Sequence, residues 1–279
     1  MSRIIVAGSL NQDLFCYVDH LPRRGETLAS LDVHRQLGGK GFNQAVALRR
    51  LGAEVEMVGA VGSDEAGRAF EAQLDAFGIG RRLLHRLETP TGLAMITVDA
   101  EGDNTIVLAP GANAALSPEL VENLPEADAV MVQGELRPET TIRAMELGRG
   151  VRVVNPAPAS LELSPAVALA DVVVANEGEA ADMGGVDRMQ GMGAAAVVVT
   201  LGSRGALLDN TLVPAPRVEV VDSTGAGDAF CAALTLALVE GRELEEAMAF
   251  ANRAGAAACL RQGTSEAMPT RAVVEAVGA

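Results

Sequence analysis

The 279-residue chain contains little cysteine and little histidine. Its three cysteines, Cys16, Cys231 and Cys259, lie far apart and form no CxxC pair, and none of its three histidines is paired at metal-ligand spacing. These features argue against a structural zinc site and against a disulfide framework. They are typical of a protein of the reducing cytoplasm.

Positive charge is scarce as well, since 22 lysine and arginine residues stand against 37 aspartate and glutamate residues, for a formal net charge of −15. Non-specific binding to nucleic acid or to anionic membranes is therefore disfavoured. The longest apolar run, AFCAALTLALV, is too short to span a bilayer, and the start MSRIIVAGSL does not read as a signal peptide. We expect a cytoplasmic protein with no nucleic acid partner and no membrane partner.

Six short β-branched runs recur along the chain: RIIVAG, EVEMVGAVG, DAVMVQ, VRVVNP, DVVVAN and AAVVVTL. Between several of them lie stretches with helical spacing, such as KGFNQAVALRRLG and DEAGRAFEAQLDAFG, and long Ala-rich segments follow at 226–240 and 243–260. Such apolar strands are covered on both faces. The pattern predicts an α/β fold with a doubly wound, mostly parallel sheet, whose ligands bind at the carboxyl ends of the strands.

Two segments, about 14–36 and 92–110, lack helical periodicity. The second predicts a β-hairpin that turns at residues 101–104, where the sequence reads EGDN. We therefore expect one domain over residues 1–279, with a small β-sheet inserted in the α/β core.

Polar side chains follow the first strand and the first glycine-rich stretch. Asn11 and Asp13 are two residues apart, so on an extended chain they point the same way and can bind sugar hydroxyls. An Asx turn is the simpler alternative. In GGKGFNQ, Lys40 and Asn43 share one face of a helix. The stretch is neither a Walker A loop, because Gly41 follows the lysine, nor a GxGxxG fingerprint.

Further polar residues follow later strands. Glu135 comes after DAVMVQ, and Asn176 and Glu179 come after DVVVAN, where a doubly wound sheet presents ligand contacts. The NEGE sequence can equally be a helix cap with acidic residues at the positive end of the helix dipole.

The stretch DSTGAGDAF places Gly225, Ala226 and Gly227 directly before an apolar helix. Free N–H groups at such a helix start can bind a phosphate whose charge shifts during transfer. Asp228 lies beside them and can accept a proton from an attacking hydroxyl. The simpler alternative is that Asp228 caps the helix and the glycines form a turn.

The combination of GGKGFNQAVA and DSTGAGDAF resembles the ribokinase-like, PfkB-type family of sugar kinases. The blocks GSLNQD, GETL, GANAALSP, NPAPA, NEGEA and TLGSRG are similar to those of the ribokinase branch and appear in the same order, from about Gly8 to Pro269. The resemblance implies an ATP-dependent kinase that phosphorylates the O5 hydroxyl of D-ribose. In this family Asp228 would be the catalytic base, beside an anion hole formed by the amides of Gly225, Ala226 and Gly227.

The resemblance also implies three groups of binding residues. The sugar pocket would be lined by Asn11, Asp13, Gly39, Lys40, Asn43, Glu135 and Asp228. The nucleotide would face Asn176, Thr200, Gly202, Ser203, Gly205, Gly227 and Asn252, with Mg²⁺ held through water by Asn176 and Glu179. A monovalent cation such as K⁺ would lie near Asp222, Thr224, Ala258, Arg261 and Gly263. By the same resemblance, the small sheet is a lid that closes over the sugar, and the lids of two subunits pack into a homodimer.

Two departures from the family pattern stand out. Ala267 takes the place of a serine that would supply one hydroxyl to the monovalent cation, so the sequence leaves K⁺ dependence open. The segment 180–194 is also short for the family. Two alternatives remain: a kinase of the family acting on a nucleoside, fructose or 2-keto-3-deoxygluconate, and a catalytically silent sugar- or nucleotide-binding protein. Retention of Asp228 with the whole GAGD loop argues against the second, because binding alone does not need a base.

Overall fold

The apolar runs of the sequence form the strands of a nine-stranded sheet in the computed structural model, which describes residues 2–278. A second, four-stranded sheet stands apart from it. In chain order the strands are β1 (Arg3–Ala7), β2 (Asn11–Tyr17), β3 (Asp32–Gly38), β4 (Glu54–Gly62), β5 (Gly80–Leu87), β6 (Gly92–Val98), β7 (Asn104–Ala109), β8 (Ala129–Gln133), β9 (Val151–Asn155), β10 (Val172–Asn176), β11 (Ala196–Thr200), β12 (Ala206–Leu208) and β13 (Thr211–Val213).

Helices connect most of these strands. In chain order they are α1 (Lys40–Leu51), α2 (Glu65–Phe77), α3 (Ala112–Ala115), α4 (Pro138–Leu147), α5 (Ser164–Ala168), α6 (Glu177–Asp182), α7 (Val186–Met192), α8 (Ala226–Val239), α9 (Leu244–Ala258) and α10 (Arg271–Ala276). Within residues 2–278, every helix is too short or too polar to cross a membrane.

The strand order of the large sheet is β13-β12-β11-β10-β9-β8-β1-β4-β5. Pairing is parallel from β11 through β10, β9, β8, β1 and β4 to β5, and in the described part of this large sheet only β12 and β13 add antiparallel pairs. Strand β1 lies between β4 and β8, so the later strands of the chain add to the sheet on both sides of β1. Where the strand order reverses in this way, a crevice forms at the carboxyl ends of the strands, here at the end of β1.

Both faces of the large sheet are buried, as the apolar runs predict. Ile4 and Val6 of β1 pack with the helices α1, α8 and α9 on one face, whereas Ile5 and Ala7 pack with α4, α5 and α7 on the other. Alternate side chains of an extended strand point to opposite faces, so one short apolar strand contributes to both cores. The doubly wound α/β prediction is confirmed.

The four-stranded sheet has the order β3-β2-β6-β7, with β2 and β6 parallel and the other pairs antiparallel. Alternate residues of a strand point to the same face of its sheet. Along β2 these residues are Asn11, Asp13, Phe15 and Tyr17. That face lines the large cavity described below.

Three strands of the large sheet are not among those predicted from the sequence. β5 carries arginines and a histidine in the sequence GRRLLHRL and lies at the sheet edge, half exposed. Charged edge strands lack the apolar signature of central strands. β12 and β13 are only three residues each and form the opposite edge.

Candidate active site

The helix α8 begins at a glycine and carries a buried carboxylate in its first turn. Gly225 is the N-cap, with φ of 77° in the left-handed region that favours glycine, and no side chain caps the helix. Asp228 is the third helical residue, and only 7% of its surface is exposed. The alternative that Asp228 is the helix cap is therefore wrong.

The start of α8 faces open space in part. Gly225 and Gly227 line a cavity, and a Cβ added to Gly227 would meet no atom within 4 Å. The amide of Ala226 instead donates to the carbonyl oxygen of Ser223 over 3.2 Å. Of the three residues expected in the anion hole, two thus lie at the cavity and one is held in the preceding turn.

Two consecutive residues of α1 hold the Asp228 carboxylate. The Asn43 amide donates to its Oδ2 over 3.0 Å, and the Gln44 amide donates to its Oδ1 over 2.9 Å. Burial raises the pKa of Asp228, the Lys40 ammonium and the two amide donors oppose that rise, and the net direction is upward. A carboxyl group with a raised pKa is a better proton acceptor at neutral pH.

The Lys40 side chain lies among carboxylates. Burial alone would lower its pKa, but the nearby carboxylates of Asp228, Glu135 and Glu179 outweigh that effect, and the pKa is raised. Lys40 therefore stays charged at neutral pH and partly neutralises this acidic region.

Glu135 accepts hydrogen bonds from groups near the starts of β2 and α1. The Oε2 of Glu135 accepts from the amide of Asn11 over 3.3 Å, from the backbone N–H of Lys40 over 3.2 Å, and from the Ser9 hydroxyl. The Asn113 amide donates to Oδ1 of Asn11 over 2.8 Å. These contacts fix Asn11 within strand β2, so the Asx-turn alternative is not what the structure contains.

Asp13 is buried on the same face of β2 as Asn11. Its pKa is raised to about 7, first by burial and then by the negative charges of Glu135 and Asp228. The charges of Glu135 and Asp228 thus act on both Asp13 and Lys40.

Two cavities meet at this cluster, and Lys40, Glu179, Gly225 and Asp228 line both of them. The larger, of about 1030 Å³, lies between the small sheet and the large one. The predicted sugar residues Asn11, Asp13, Gly39, Lys40, Asn43, Glu135 and Asp228 all line it. The smaller, of about 160 Å³, is lined by Asn176, Glu179, Thr200, Gly227 and their neighbours at the ends of β10 and β11.

The NEGE sequence forms a reciprocal helix cap. Oδ1 of Asn176 accepts from the backbone N–H of Glu179 over 2.8 Å, and the Glu179 carboxylate accepts from the backbone N–H of Asn176 over 2.9 Å. The helix-cap interpretation is confirmed. Both residues also line the smaller cavity, so the cap presents carboxylate and amide oxygens to it.

Other residues predicted to face the nucleotide do not line either of these two cavities. Gly202 and Ser203 belong to the turn after β11, and Gly205 follows it with φ of 108°. The Asn252 side chain donates to the carbonyl oxygen of Val213 over 2.8 Å. In this structure Asn252 therefore joins α9 to β13.

The residues predicted for a monovalent cation lie in two neighbouring loops. Asp222 accepts from the backbone N–H and hydroxyl of Thr224 over 2.9 and 2.7 Å, and from the N–H of Gly263 over 3.0 Å. Burial raises the pKa of Asp222, but these hydrogen bonds outweigh it and the pKa is lowered. Ala258 and Arg261 lie in the turn that ends α9, where the Arg261 N–H donates to the Ala258 carbonyl over 3.5 Å.

Three residues of the site were not singled out from the sequence: Ser9, Gln44 and Asn113. All three belong to blocks that carried the family resemblance, GSLNQD, GGKGFNQ and GANAALSP. Gln44 is four residues after Lys40, so helical spacing places it on the same side of the helix as Lys40 and Asn43. For Gln44 the signal is present in both the motif and the spacing, whereas for Ser9 and Asn113 it is present in the motif alone.

Comparison with known proteins identifies the family to which the chain is similar. Residues 1–271 match the sequence model of the family described as pfkB family carbohydrate kinase. The ribokinase of Bacillus subtilis (strain 168) is 36% identical over 290 residues, which cover 99% of each chain. A crystal structure of ribokinase from Thermotoga maritima matches with a TM-score of 0.91 and 33% identity over 99% of each chain. A structure of Arabidopsis thaliana ribokinase complexed with ribose and ATP matches with a TM-score of 0.86 and 27% identity, covering 99% of this chain and 98% of that one.

Proposed function

Because the chain belongs to the pfkB family of carbohydrate kinases, we propose that it transfers the γ-phosphoryl group of ATP to the O5 hydroxyl of D-ribose, with Asp228 as the general base. The similarity to ribokinases over nearly the full chain supports ribose as the acceptor. The same similarity to proteins that act on ribose disfavours a nucleoside, fructose or 2-keto-3-deoxygluconate.

The observation that carries the proposal is the position of Asp228 where the two cavities meet. The larger cavity presents amide and carboxylate groups of Asn11, Asp13 and Asn43, which suit the several hydroxyls of a sugar. The smaller cavity lies at the start of α8, where helix N–H groups favour a phosphate. A hydroxyl at Asp228 would therefore lie between a sugar site and a phosphate site.

In the proposed reaction, Asp228 orients the O5 hydroxyl and accepts its proton late, because a carboxylate is too weak a base to deprotonate an alcohol beforehand. Lys40 and the amides at Gly225 and Gly227 stabilise charge on the transferred group. Most of the rate enhancement in phosphoryl transfer comes from alignment and charge stabilisation. The small sheet would act as a lid that excludes water from the sugar site.

The residues at the smaller cavity fit Mg²⁺ bound with the nucleotide. Mg²⁺ usually keeps several waters and takes one or two carboxylates together with substrate phosphates. Glu179 and Asn176 offer hard oxygen atoms to this cavity and would hold the ion through water. When bound, Mg²⁺ would neutralise charge on the phosphates.

The other proposed contacts are less direct. The nucleotide would extend from the smaller cavity toward Thr200 and the turn with Gly202, Ser203 and Gly205, near Asn252. A K⁺ ion would be held by backbone carbonyls of the loops around Asp222 and Gly263, while the Asp222 carboxylate orders those loops. The scarcity of cysteine supports a cytoplasmic location.

The experiment that tests the function is ADP release from MgATP with a panel of acceptors, with and without K⁺. The panel holds ribose, deoxyribose, fructose, 2-keto-3-deoxygluconate, adenosine and pseudouridine. We expect a clear preference for ribose. Turnover on another acceptor would keep the kinase and reject ribose, and binding of sugar or ATP without turnover on any acceptor would favour a silent binding protein.

Ribose affinity is expected to rise with pH through the titration of Asp13. The pKa of Asp13 in the free protein is about 7, and sugar hydroxyls donate preferentially to the ionised carboxylate. A proton must therefore leave on binding below pH 7, and the dissociation constant should fall about tenfold from pH 6 to pH 8. Calorimetric titration in buffers of different ionisation enthalpy measures both the affinity and the released proton. An Asp13→Asn variant should bind more weakly and lose the pH dependence, and a pH-independent parent protein would contradict the prediction.

The outer face of the small sheet supports a homodimer. The register places Leu14, Cys16, Val33, Met95 and Val107 on the face opposite Asp13, and Val33, Met95 and Val107 are 46%, 39% and 61% exposed. An exposed apolar patch of this kind is typical of an interface.

Val107→Glu is expected to weaken that homodimer at least about 100-fold, because it would bury an unpaired charge. Light scattering coupled to size-exclusion chromatography measures the mass over a dilution series. Val273→Glu, on α10 and 44% exposed, is the matched control and should leave the mass unchanged. A monomeric parent protein, or a Val107→Glu variant that dimerises as the parent does, would refute this interface.

A further inference from the structure

A buried amide behind Asp228 joins its carboxylate to the large sheet. The side chain of Gln44 is fully buried, and its Nε2 donates to Oδ1 of Asp228 over 2.9 Å and to Oδ1 of Asn155 over 3.3 Å. Its Oε1 accepts from Nε2 of Gln133 over 2.6 Å. Gln44 lines neither of the two cavities that meet at Asp228, so it can act on a substrate only through its hydrogen-bond partners. Of these, Asp228 lines both cavities and Asn155 lines the smaller one.

The direction of these hydrogen bonds is fixed by the carboxylate. An ionised carboxylate accepts and cannot donate, so Gln44 must turn its NH₂ group toward Asp228 and its carbonyl oxygen toward Gln133. The NH₂ group of Gln133 meets that carbonyl. A flipped Gln44 would place one oxygen against the Asp228 carboxylate and an NH₂ group against that of Gln133, and both contacts would be repulsive.

The anchors of this network are the ends of two central strands. Gln133 is the last residue of β8, and Asn155 is the last residue of β9. The Asn155 amide in turn donates to the carbonyl oxygen of Val174 in β10 over 2.9 Å. Residues at strand ends in a packed sheet move little, so the network gives the carboxylate a rigid support.

The two oxygens of Asp228 therefore have different surroundings. Oδ1 is held from the interior by Gln44, whereas Oδ2 contacts Asn43, which lines the larger cavity. The oxygen on the side of Asn43 is the one that an acceptor hydroxyl can approach. Rotation of the carboxylate would exchange the two oxygens, and the hydrogen bond from Gln44 opposes that rotation.

We propose that Gln44 is a positioning residue that fixes the orientation of the Asp228 carboxylate and favours its ionised form, with Gln133 holding the carbonyl end of the Gln44 amide. This inference rests on the proposed role of Asp228 as general base. Gln44 itself touches neither substrate nor phosphate. Its effect should therefore appear in turnover and in the pH profile, and not in sugar affinity.

The test is steady-state kinetics of Gln44→Met from pH 5.5 to pH 9, with ribose and MgATP. Methionine has a similar length and no donor, and a hydrogen bond to a charged group is worth roughly 10- to 100-fold. We expect kcat to fall by about that factor, the KM for ribose to change less than about threefold, and the acid limb of kcat to move up by about one pH unit.

The groups that face Asp228 remain in place in this variant, so a change in the acid limb reports the lost donor. They are Lys40, Asp13, Asn43, Glu135 and Cys231. Gln44→Glu gives a second readout. Its carboxyl group can donate to Asp228 only when protonated, so at high pH the turnover of Gln44→Glu should fall below that of Gln44→Met.

The matched control is Thr235→Val, which removes a fully buried hydroxyl from the same helix as Asp228 without touching the carboxylate. It should keep the parent kcat and pH profile. If Gln44→Met does not fold, Gln133→Met tests the same network from its far end and should lower kcat about three- to tenfold with the same shift of the acid limb.

Parent kcat and an unchanged acid limb in folded Gln44→Met, or in Gln133→Met where the first variant does not fold, would overturn the proposal. That outcome is distinct from failure of the proposed function. The function fails if the parent protein does not phosphorylate ribose or if Asp228→Asn keeps its turnover. The positioning role fails if the parent acts on ribose, Asp228→Asn does not, and the Gln44 or Gln133 variant matches the parent.

Discussion

Asp228→Asn is expected to lower kcat for ribose phosphorylation by about 10² to 10⁴, the usual contribution of a general base. The asparagine has the same shape as the carboxylate but cannot accept a proton from the O5 hydroxyl. The anion hole, Lys40 and the bound nucleotide remain, so residual turnover above the uncatalysed rate should persist. ADP release with saturating ribose measures the effect.

The substitution also changes the hydrogen bonds around position 228. Both carboxylate oxygens accept from amide NH₂ groups, of Asn43 and of Gln44, and the new NH₂ group must oppose one of them. A thermal melt and a calorimetric ribose titration therefore accompany the kinetics. A folded variant that binds ribose with lost turnover supports the role of Asp228 as base. Near-normal turnover in a folded variant would refute it.

The architecture was predictable because the central strands are short and apolar on both faces. Ile4, Ile5 and Val6 fill two cores at once, and a run of this kind has few other stable environments. The same signal fails at the sheet edge, where β5 mixes arginines with leucines and contacts solvent. Edge strands are selected against aggregation as well as for packing, so their sequences are mixed.

The sequence predicts which residues form the candidate site, but it does not predict how their charges act on one another. The spacing of Asn11 and Asp13 indicates that they share a face, and the structure places both on one face of β2. The pKa of Asp13 near 7 depends on burial and on the charges of Glu135 and Asp228, which lie more than 100 residues away along the chain. Local periodicity does not predict which distant residues come close together in the folded chain.

Local alternatives were the hardest to decide from the sequence. The NEGE sequence is compatible with a helix cap and with a ligand contact. Asn176 and Glu179 do both, because a capping box still leaves oxygen atoms for other contacts. The position of Asp228 is compatible with a helix cap and with a reactive carboxylate. The structure excludes the cap, because Gly225, in the left-handed conformation, occupies the N-cap position. Both answers depend on hydrogen bonds and on backbone conformation, which the local sequence does not specify.

Gly227→Ala is expected to abolish most turnover without destabilising the fold. Gly227 lies within α8, has no positive φ, and an added Cβ would meet no atom within 4 Å. Alanine favours a helix over glycine by up to about 1 kcal/mol, so the melting temperature should stay or rise. Gly225 offers no such test, because its φ of 77° would strain any side chain and an added Cβ would come within 2.8 Å of the Met268 side chain.

The open space beside Gly227 belongs to the smaller cavity, where we place the transferred phosphoryl group. A methyl group there would displace an oxyanion from the helix N–H groups, and removal of one such donor alone costs about 10² to 10³ in kcat. Gly191→Ala is the matched control, because Gly191 is also helical and also faces open space, away from both cavities. Both variants should melt at or above the parent temperature, and only Gly227→Ala should lose at least about 100-fold in kcat. If Gly227→Ala turns over as Gly191→Ala does, the phosphoryl group is not bound at the start of α8, and the anion hole must lie elsewhere in the crevice.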